Sequence, residues 1–156
     1  MSGKKGTYVG LRVLAPANEL LYKHCKDAGV PVRTSMFENR LHTTVIYSRT
    51  KCGVLNLDPD YKYIARFAGY EIFSGQKGEK VLVMKLEAPG VSALHNQIMS
   101  ENPDATYDYA VFRPHITLSY NYTDNNTMGI PIFPHDIILG LAYAEDLDLD
   151  LEWGMK

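Results

Sequence analysis

The chain has 156 residues, of which 46% are hydrophobic and 22% charged, the composition of one soluble globular domain rather than of a disordered or fibrous chain. No apolar run approaches the roughly 18 residues of a membrane span, and no apolar run follows the charged start as a secretory signal requires. Sixteen basic and 18 acidic residues give a net charge of −2 without a basic stripe, which disfavours long RNA or DNA as a partner but not a small nucleotide.

The residue pattern predicts two successive units of the same order. Each begins with a short β-type run that leads to an Ala-Pro pair, continues as a helical stretch, and then has a second strand. The predicted elements in chain order are a strand at 7–13, a helix at 17–28, a strand at 41–47, a strand-like segment at 61–73, a strand at 80–86, a helix at 90–101, a strand at 115–120 and a strand-like segment at 134–146. Gly29 and Asn102 occupy matching positions, where a left-handed residue would end each helix.

An internal repeat accounts for this order. Residues 6–48 align with residues 79–121 without a gap, at an offset of 73, and share seven identities where composition alone would give roughly two or three. The identical pairs are Ala15/Ala88, Pro16/Pro89, Leu21/Leu94, Arg40/Arg113, His42/His115, Thr44/Thr117 and Tyr47/Tyr120. The last four pairs form the motif Arg-x-His-x-Thr-x-x-Tyr in both copies.

The repeat predicts an α+β protein in which residues 1–156 form a single domain. Two lobes, at about residues 6–73 and 79–146, would be related by a pseudo-twofold axis, and residues 147–156 would form a C-terminal tail. We expect two mainly antiparallel sheets facing a central cleft, with the helices on the outer faces.

The two His-x-Thr motifs carry the candidate chemistry. Residues i and i+2 of a strand share one face, so His42 points the same way as Thr44, and His115 the same way as Thr117. An unperturbed imidazole has a pKa of about 6.5, so at neutral pH one histidine can accept a proton while the other donates one. Threonine hydroxyls can hydrogen-bond phosphate oxygens between them. This combination is typical of metal-free phosphodiester cleavage.

A structural interpretation of these residues also exists. A single His-x-Thr pair on a strand is more often a satisfied structural feature than a catalytic one. Two copies at equivalent positions of a repeat are hard to explain by packing, because a core would accept Val or Ile there. We therefore interpret both motifs as catalytic.

The motif strands resemble a known family. His-Thr-Thr-Val at 42–45 and His-Ile-Thr-Leu at 115–118 are similar to the paired motifs of the 2H phosphoesterase superfamily, which has a bilobal fold. Gly-Thr-Tyr-Val-Gly at 6–10 and Glu-Asp-Leu-Asp-Leu at 145–149 resemble phage-encoded members that degrade cyclic di- and trinucleotide signals of bacterial defence. The residues implied to be catalytic are His42, Thr44, His115 and Thr117, and those implied to bind the nucleotide are Tyr8, Glu145 and Trp153. The tail, which contains Trp153, is longer than that pattern by about a dipeptide.

The resemblance implies a metal-independent phosphodiesterase without a cofactor. Its partner would be a cyclic oligonucleotide such as cyclic GMP-AMP, and it would act in the cytoplasm of a phage's bacterial host. Two alternatives stay open: an RNA 2′,3′-cyclic phosphodiesterase of the 2′-5′ RNA ligase type, and a protein that sequesters the nucleotide uncleaved. Two intact motifs disfavour sequestration, because binding alone does not require two titrating imidazoles. The sequence predicts neither the oligomeric state nor which histidine is the acid.

Several other polar residues have two interpretations each. Arg40 and Arg113 would point into the cleft if the motif strands begin that early, and would otherwise be solvated. Asp146, Asp148 and Asp150 alternate with leucines; they could bind a divalent cation, but a solvated strand face is favoured.

The remaining candidates are two thiols and one indole. Cys25 and Cys52 fit neither a disulfide framework nor a zinc-site spacing, so we predict reduced thiols of a cytoplasmic protein. Trp153 either stacks on a nucleobase or packs against the sheet. No Gly-rich phosphate loop is present, which disfavours kinase, NTPase and dehydrogenase activities.

Overall fold

A computed structural model describes residues 5–39, 41–75 and 77–148. The elements are β1 Lys5–Val13, α1 Ala17–Asp27, α2 Thr34–Asn39, β2 His42–Ser48, β3 Tyr63–Ser74, β4 Lys80–Glu87, α3 Pro89–Glu101, β5 His115–Ser119 and β6 Ile137–Asp148. The α+β prediction is confirmed, and eight predicted elements are found within a few residues of their expected bounds. The short helix α2 lies between the predicted helix at 17–28 and the predicted strand at 41–47, where no element was predicted. No helix in the described ranges is long and apolar enough to cross a membrane.

The six strands form one closed antiparallel sheet in the order β1-β2-β5-β4-β3-β6. The prediction of two facing sheets is therefore corrected to one continuous sheet, because β2 pairs with β5 and β3 pairs with β6. Both pairings join a strand of residues 6–73 to a strand of residues 79–146. The strand order is unchanged when β1, β2 and β3 are exchanged for β4, β5 and β6, as the sequence repeat requires.

The ladder registers of β1–β2 and β4–β5 follow the 73-residue offset. The equivalent pairs are Gly10–Thr44 and Val83–Thr117, Leu11–Thr43 and Met84–Ile116, and Arg12–His42 and Lys85–His115. A β-bulge follows the motif threonine in each ladder, where the register shifts between Val9 and Gly10 and between Leu82 and Val83. Bulges bend a strand and increase its twist, so both motif strands curve at the same point.

The third strands of the two repeats, β3 and β6, are related by an offset of 72 instead of 73. Tyr8 pairs with Glu145 in β1–β6, and the corresponding pair in β4–β3 is Val81 with Phe73. The predicted alignment of residues 61–73 with 134–146 is therefore one residue out of register. An error of one residue matters in a strand, because it exchanges the side chains on the core face of the sheet with those on the opposite face.

The core lies between the helices and one face of the sheet. Every second residue of β1 and β4 is buried there, namely Val9, Leu11 and Val13 and Leu82, Met84 and Leu86. Leu21 of α1 and Ile98 of α3 pack into the same cluster. Cys25 and Cys52 are also buried there as free thiols. Burial raises the pKa of the Cys25 thiol to about 12, so this side chain stays protonated and packs as a small apolar group.

The two long helices end differently, although their sequences align. Gly29 follows α1 with φ of 77°, the left-handed residue that the sequence predicted. The same prediction for Asn102 is wrong, because its φ is −129°. The Asn102 amide instead donates to the carbonyls of Ile98 at 2.9 Å and Val54 at 2.7 Å. It also accepts from the Val54 N–H at 2.9 Å, so the helix end is capped by a side chain.

A tight bulge in β3 requires a glycine. Gly69 has φ of 123°, a backbone conformation that L side chains rarely adopt, and a Cβ there would lie 3.2 Å from Cε of Lys85. Leu141 has φ of 51° at the equivalent position of β6, counted at the offset of 72. Strands β3 and β6 therefore each contain a residue with positive φ at the same place in the sheet.

We predict that Gly69→Ala lowers the free energy of unfolding by about 1–3 kcal/mol, the cost of holding a residue in a disfavoured backbone region. Urea unfolding followed by circular dichroism measures the change. The matched control is Gly53→Ala, because nothing lies within 4 Å of a Cβ built at Gly53. Equal stability of the two variants would contradict the prediction.

Candidate active site

The two motif strands meet at one buried cross-strand pair. Thr43 lies directly opposite Ile116, and both are fully buried on the core face of the sheet. The Thr43 hydroxyl donates a hydrogen bond of 2.7 Å to the backbone carbonyl of His115. Because successive residues of a strand point to opposite faces, the residues on either side of this pair must face away from the core.

Four half-buried side chains consequently form a rectangle on the face of the sheet opposite the core. We call this face the cleft face, and the space in front of it the cleft. Partners in an antiparallel ladder run in opposite directions, so His42 lies opposite Thr117 and Thr44 opposite His115. The two imidazoles occupy one diagonal and the two hydroxyls the other. Directly opposed Cβ atoms in such a ladder lie about 4.5–5.5 Å apart and diagonal neighbours about 7–8 Å apart, which leaves room for one phosphate between the corners. The fold thus brings together the four residues that the sequence singled out.

A backbone carbonyl just before β5 orients the His115 imidazole. Its Nδ1 lies 3.0 Å from the carbonyl oxygen of Arg113, and since a carbonyl can only accept, Nδ1 carries the hydrogen. This leaves Nε2 as the nitrogen available for proton transfer. The ring of Phe73 meets the imidazole edge to face, at 5.9 Å between centroids and 90° between planes.

Tyr8 links the first histidine to the first threonine. Its ring lies 6.2 Å from the His42 ring in an edge-to-face arrangement, and its hydroxyl is 3.0 Å from the Thr44 hydroxyl. Burial is the main cause that raises the pKa of the Tyr8 phenol, neighbouring Tyr143 and Glu145 raise it further, and the hydrogen bond to Thr44 opposes the shift. The phenol therefore keeps its proton at neutral pH and orients the Thr44 hydroxyl.

The other predicted nucleotide contacts differ in how far the structure describes them. Glu145 is exposed and pairs with Tyr8 across the β1–β6 ladder, so the two side chains share the cleft face. Trp153 lies outside the described residues. The same holds for Arg40 and Asp150.

Arg113 and Asp146 are both exposed to solvent, as the second interpretation of these residues predicts. Arg113 is exposed in the loop before β5, because the strand begins only at His115. Asp146 is exposed and forms an ion pair of 3.5 Å with Lys51. Among the residues described, no group of three His, Cys, Asp or Glu side chains is gathered as a metal site.

A buried histidine that sequence analysis missed supports β2 from behind. His95 of α3 donates through Nδ1 to the carbonyl of Val45 at 2.7 Å, one residue after Thr44. Its ring stacks on Phe112, with 4.1 Å between centroids and 10° between planes. The available signal was the spacing of Val91, His95 and Ile98, which places all three on the buried face of a helix.

A cavity of about 1130 Å³ opens beside the rectangle. His42 and Thr117 line it, together with Arg33 and Met36 near α2 and Lys77 in the turn before β4. Thr44 and His115 are not part of this lining. A cavity of this volume is large enough to hold a small ligand beside the rectangle.

Several phage proteins are similar to this chain in sequence. An anti-CBASS protein Acb1 of Vibrio phage KVP40 is 28% identical over 150 residues, which cover 96% of this chain and 91% of the relative. The protein of the same description from Acinetobacter phage Ac42 is 30% identical over 115 residues, 72% of each chain, and that of Enterobacteria phage T4 is 27% identical over 143 residues, 90% of each. The family model described as anti-CBASS protein Acb1 matches residues 5–154. The chain therefore belongs to the anti-CBASS protein Acb1 family.

Proposed function

We propose that this chain is a metal-independent phosphodiesterase that opens cyclic di- and trinucleotide defence signals, such as cyclic GMP-AMP. In this way it would let a phage evade CBASS immunity from within the host cytoplasm. The observation that carries the proposal is the rectangle of two imidazoles and two hydroxyls around the Thr43–Ile116 pair. Membership of the anti-CBASS family supports the choice of a cyclic oligonucleotide as substrate.

The proposed reaction uses the substrate's own nucleophile. In a 3′-5′ linked cyclic nucleotide, a 2′-hydroxyl lies beside each phosphate. A neutral imidazole accepts the proton of this hydroxyl while the 2′-oxygen forms a bond to phosphorus. The phosphorus–O5′ bond breaks, and the protonated imidazole gives its proton to the leaving O5′. The product is a linear nucleotide with a 2′,3′-cyclic phosphate end.

The remaining cleft residues would orient the phosphate and the bases. The hydroxyls of Thr44 and Thr117 donate to the non-bridging oxygens as charge accumulates on them. Thr44 is held for this role by Tyr8, and Nε2 of His115 is left for proton transfer by the bond from its Nδ1. Glu145 stands beside Tyr8 where a nucleobase or ribose would enter, and Trp153 is proposed as a stacking residue from the tail.

We predict that His42→Ala and His115→Ala each lower kcat for cyclic GMP-AMP about 100-fold to 10,000-fold, the contribution of one general acid or base. Product formation is measured by chromatography of the reaction mixture. The control is His135→Ala, which removes an exposed imidazole that meets the Phe133 ring edge to face in the segment before β6. Binding without any turnover by the unmodified protein would instead indicate sequestration.

We predict that turnover persists in excess EDTA, because the four side chains supply the proton transfers and the hydrogen bonds by themselves. The measurement compares initial rates before and after chelation, and again after magnesium or manganese is added back. A rate that disappears with EDTA and returns with either ion would contradict a metal-independent mechanism.

The nucleophile is tested with a substrate in which hydrogen replaces each 2′-hydroxyl. We predict that this deoxy analogue binds but is not opened, because the internal nucleophile is gone. Its dissociation constant is obtained by calorimetry, and its cleavage is followed by chromatography. Opening of the analogue at a rate similar to that of the ribonucleotide would mean that water attacks phosphorus directly.

A further inference from the structure

Each histidine of the cleft has a basic residue as its direct cross-strand neighbour. Arg12 of β1 pairs with His42 of β2, and Lys85 of β4 pairs with His115 of β5. Directly paired residues share one face of the sheet, with Cβ atoms about 4.5–5.5 Å apart. Both basic side chains are half-buried, in agreement with a position on the wall of the cleft.

An aromatic ring, not a carboxylate, holds the Arg12 guanidinium in place. Its guanidinium carbon lies 4.3 Å from the centroid of the Tyr143 ring, a cation–π contact. The ring fits there because Gly10 has no side chain; a Cβ at Gly10 would lie 2.6 Å from the Tyr143 hydroxyl. Within residues 5–39, 41–75 and 77–148, no carboxylate forms an ion pair with Arg12. The first half of the cleft therefore presents an uncompensated positive charge beside His42.

Lys85 occupies the equivalent position in the second half, but a carboxylate accompanies it. Its Nζ lies 3.9 Å from Oε1 of Glu71, and both side chains are about two-fifths exposed, 41% and 42%. Glu71 pairs with Val83 in the β3–β4 ladder, so its side chain also lies on the cleft face. An ion pair that is long and exposed is weak. The ammonium group can therefore exchange Glu71 for a stronger anion.

We propose that Arg12 and Lys85 bind the scissile phosphate from opposite sides, Arg12 beside His42 and Lys85 beside His115. The inference rests on the proposed function, since it concerns the same cleft. A guanidinium presents two N–H groups to two oxygens of one phosphate, and an ammonium adds a compact charge. Both stabilise the negative charge that grows on the non-bridging oxygens in the transition state.

This assignment explains how a chain with net charge −2 can bind a phosphodiester. A small cyclic substrate needs a few cations at one point, not a basic stripe along the surface. The two halves place those cations at the same backbone position, 73 residues apart, although the residues that hold them differ. Arg12, which lacks a carboxylate partner in the described part of the chain, carries the larger share of binding.

The test measures kcat and KM for a cyclic dinucleotide and for its two phosphorothioate diastereomers. We expect Arg12→Gln to lower kcat/KM about 10-fold to 100-fold and Lys85→Gln about 10-fold, the range for losing a hydrogen bond from a charged group. Arg12→Gln should also reduce the rate difference between the diastereomers, because sulfur accepts a hydrogen bond from the guanidinium poorly. A merely structural role would lower the rate without changing that ratio.

Matched variants complete the series. Lys23→Gln removes an exposed lysine of α1 that pairs with Asp27 at 2.6 Å on the helical side of the sheet, and its kcat/KM should equal that of the unmodified protein. Glu71→Gln should lower KM a few-fold, because it releases Lys85 for the phosphate. Arg12→Lys keeps the charge and should show a smaller loss than Arg12→Gln. If Arg12→Gln does not fold, the variants Lys85→Gln and Glu71→Gln, at half-buried positions, test the proposal by the same measurements.

Failure of this inference is distinguishable from failure of the proposed function. Calorimetric binding of the 2′-deoxy cyclic dinucleotide is measured for every variant alongside turnover. If the unmodified protein cleaves the ribonucleotide while Arg12→Gln and Lys85→Gln bind and cleave as it does, the phosphate-binding assignment is overturned and the enzyme remains. If nothing is cleaved but Arg12→Gln binds at least 10-fold more weakly, the assignment is supported and the enzymatic function is overturned.

Discussion

The pairing of Thr43 with Ile116 is the constraint on which the cleft depends. This one buried pair joins the two motif strands, and the Thr43 hydroxyl reinforces it by donating to the carbonyl of His115 at 2.7 Å. A slip of one residue would turn the two buried side chains toward solvent and the histidines toward the core. Apolar burial on one face and the meeting of the motifs on the other therefore result from the same register.

The two halves share a backbone arrangement but not the side chains that line it. Equivalent ladder pairs and equivalent bulges place the motifs in the same way, while the residues around them differ. On the side of His42, the Tyr8 ring meets the imidazole edge to face, and Tyr143 packs against Tyr8 and supports the Arg12 guanidinium. Those around His115 are Phe73 and the Lys85–Glu71 ion pair. The two histidines therefore have different aromatic and charged neighbours, although their backbone positions are equivalent.

Buried polar groups hold the back of β2 while its front stays open. His95 donates to the Val45 carbonyl, and the Ser48 hydroxyl donates to the carbonyl of Thr50 at 2.8 Å. The Thr7 hydroxyl accepts from the N–H of Cys52 at 2.9 Å and attaches the following loop to β1. Buried polar groups with satisfied partners limit the conformations a strand can adopt. The motif strand is therefore fixed from behind, where no substrate has to bind.

Local patterns were sufficient to predict the repeat, the four residues of the rectangle and every element except α2. Strand alternation and a helix-ending glycine are encoded over a few residues, so His42 with Thr44 and the end of α1 at Gly29 could be assigned from the sequence. The equivalent assignment failed at Asn102, because the conformation there depends on hydrogen bonds to Val54, 48 positions earlier.

Only the tertiary structure decided which residues surround the motifs. The sequence directed attention to arginines two positions before each histidine in the chain, whereas the cross-strand neighbours are Arg12 and Lys85. Spacing within one strand determines which side chains share a face, but it contains no information on the register of the next strand. Closure of the sheet through β2–β5 and β3–β6 is likewise a long-range property, set by pairing between residues far apart in sequence. The sequence alone thus determined the four polar side chains of the rectangle, and the register of the sheet determined the charges beside them.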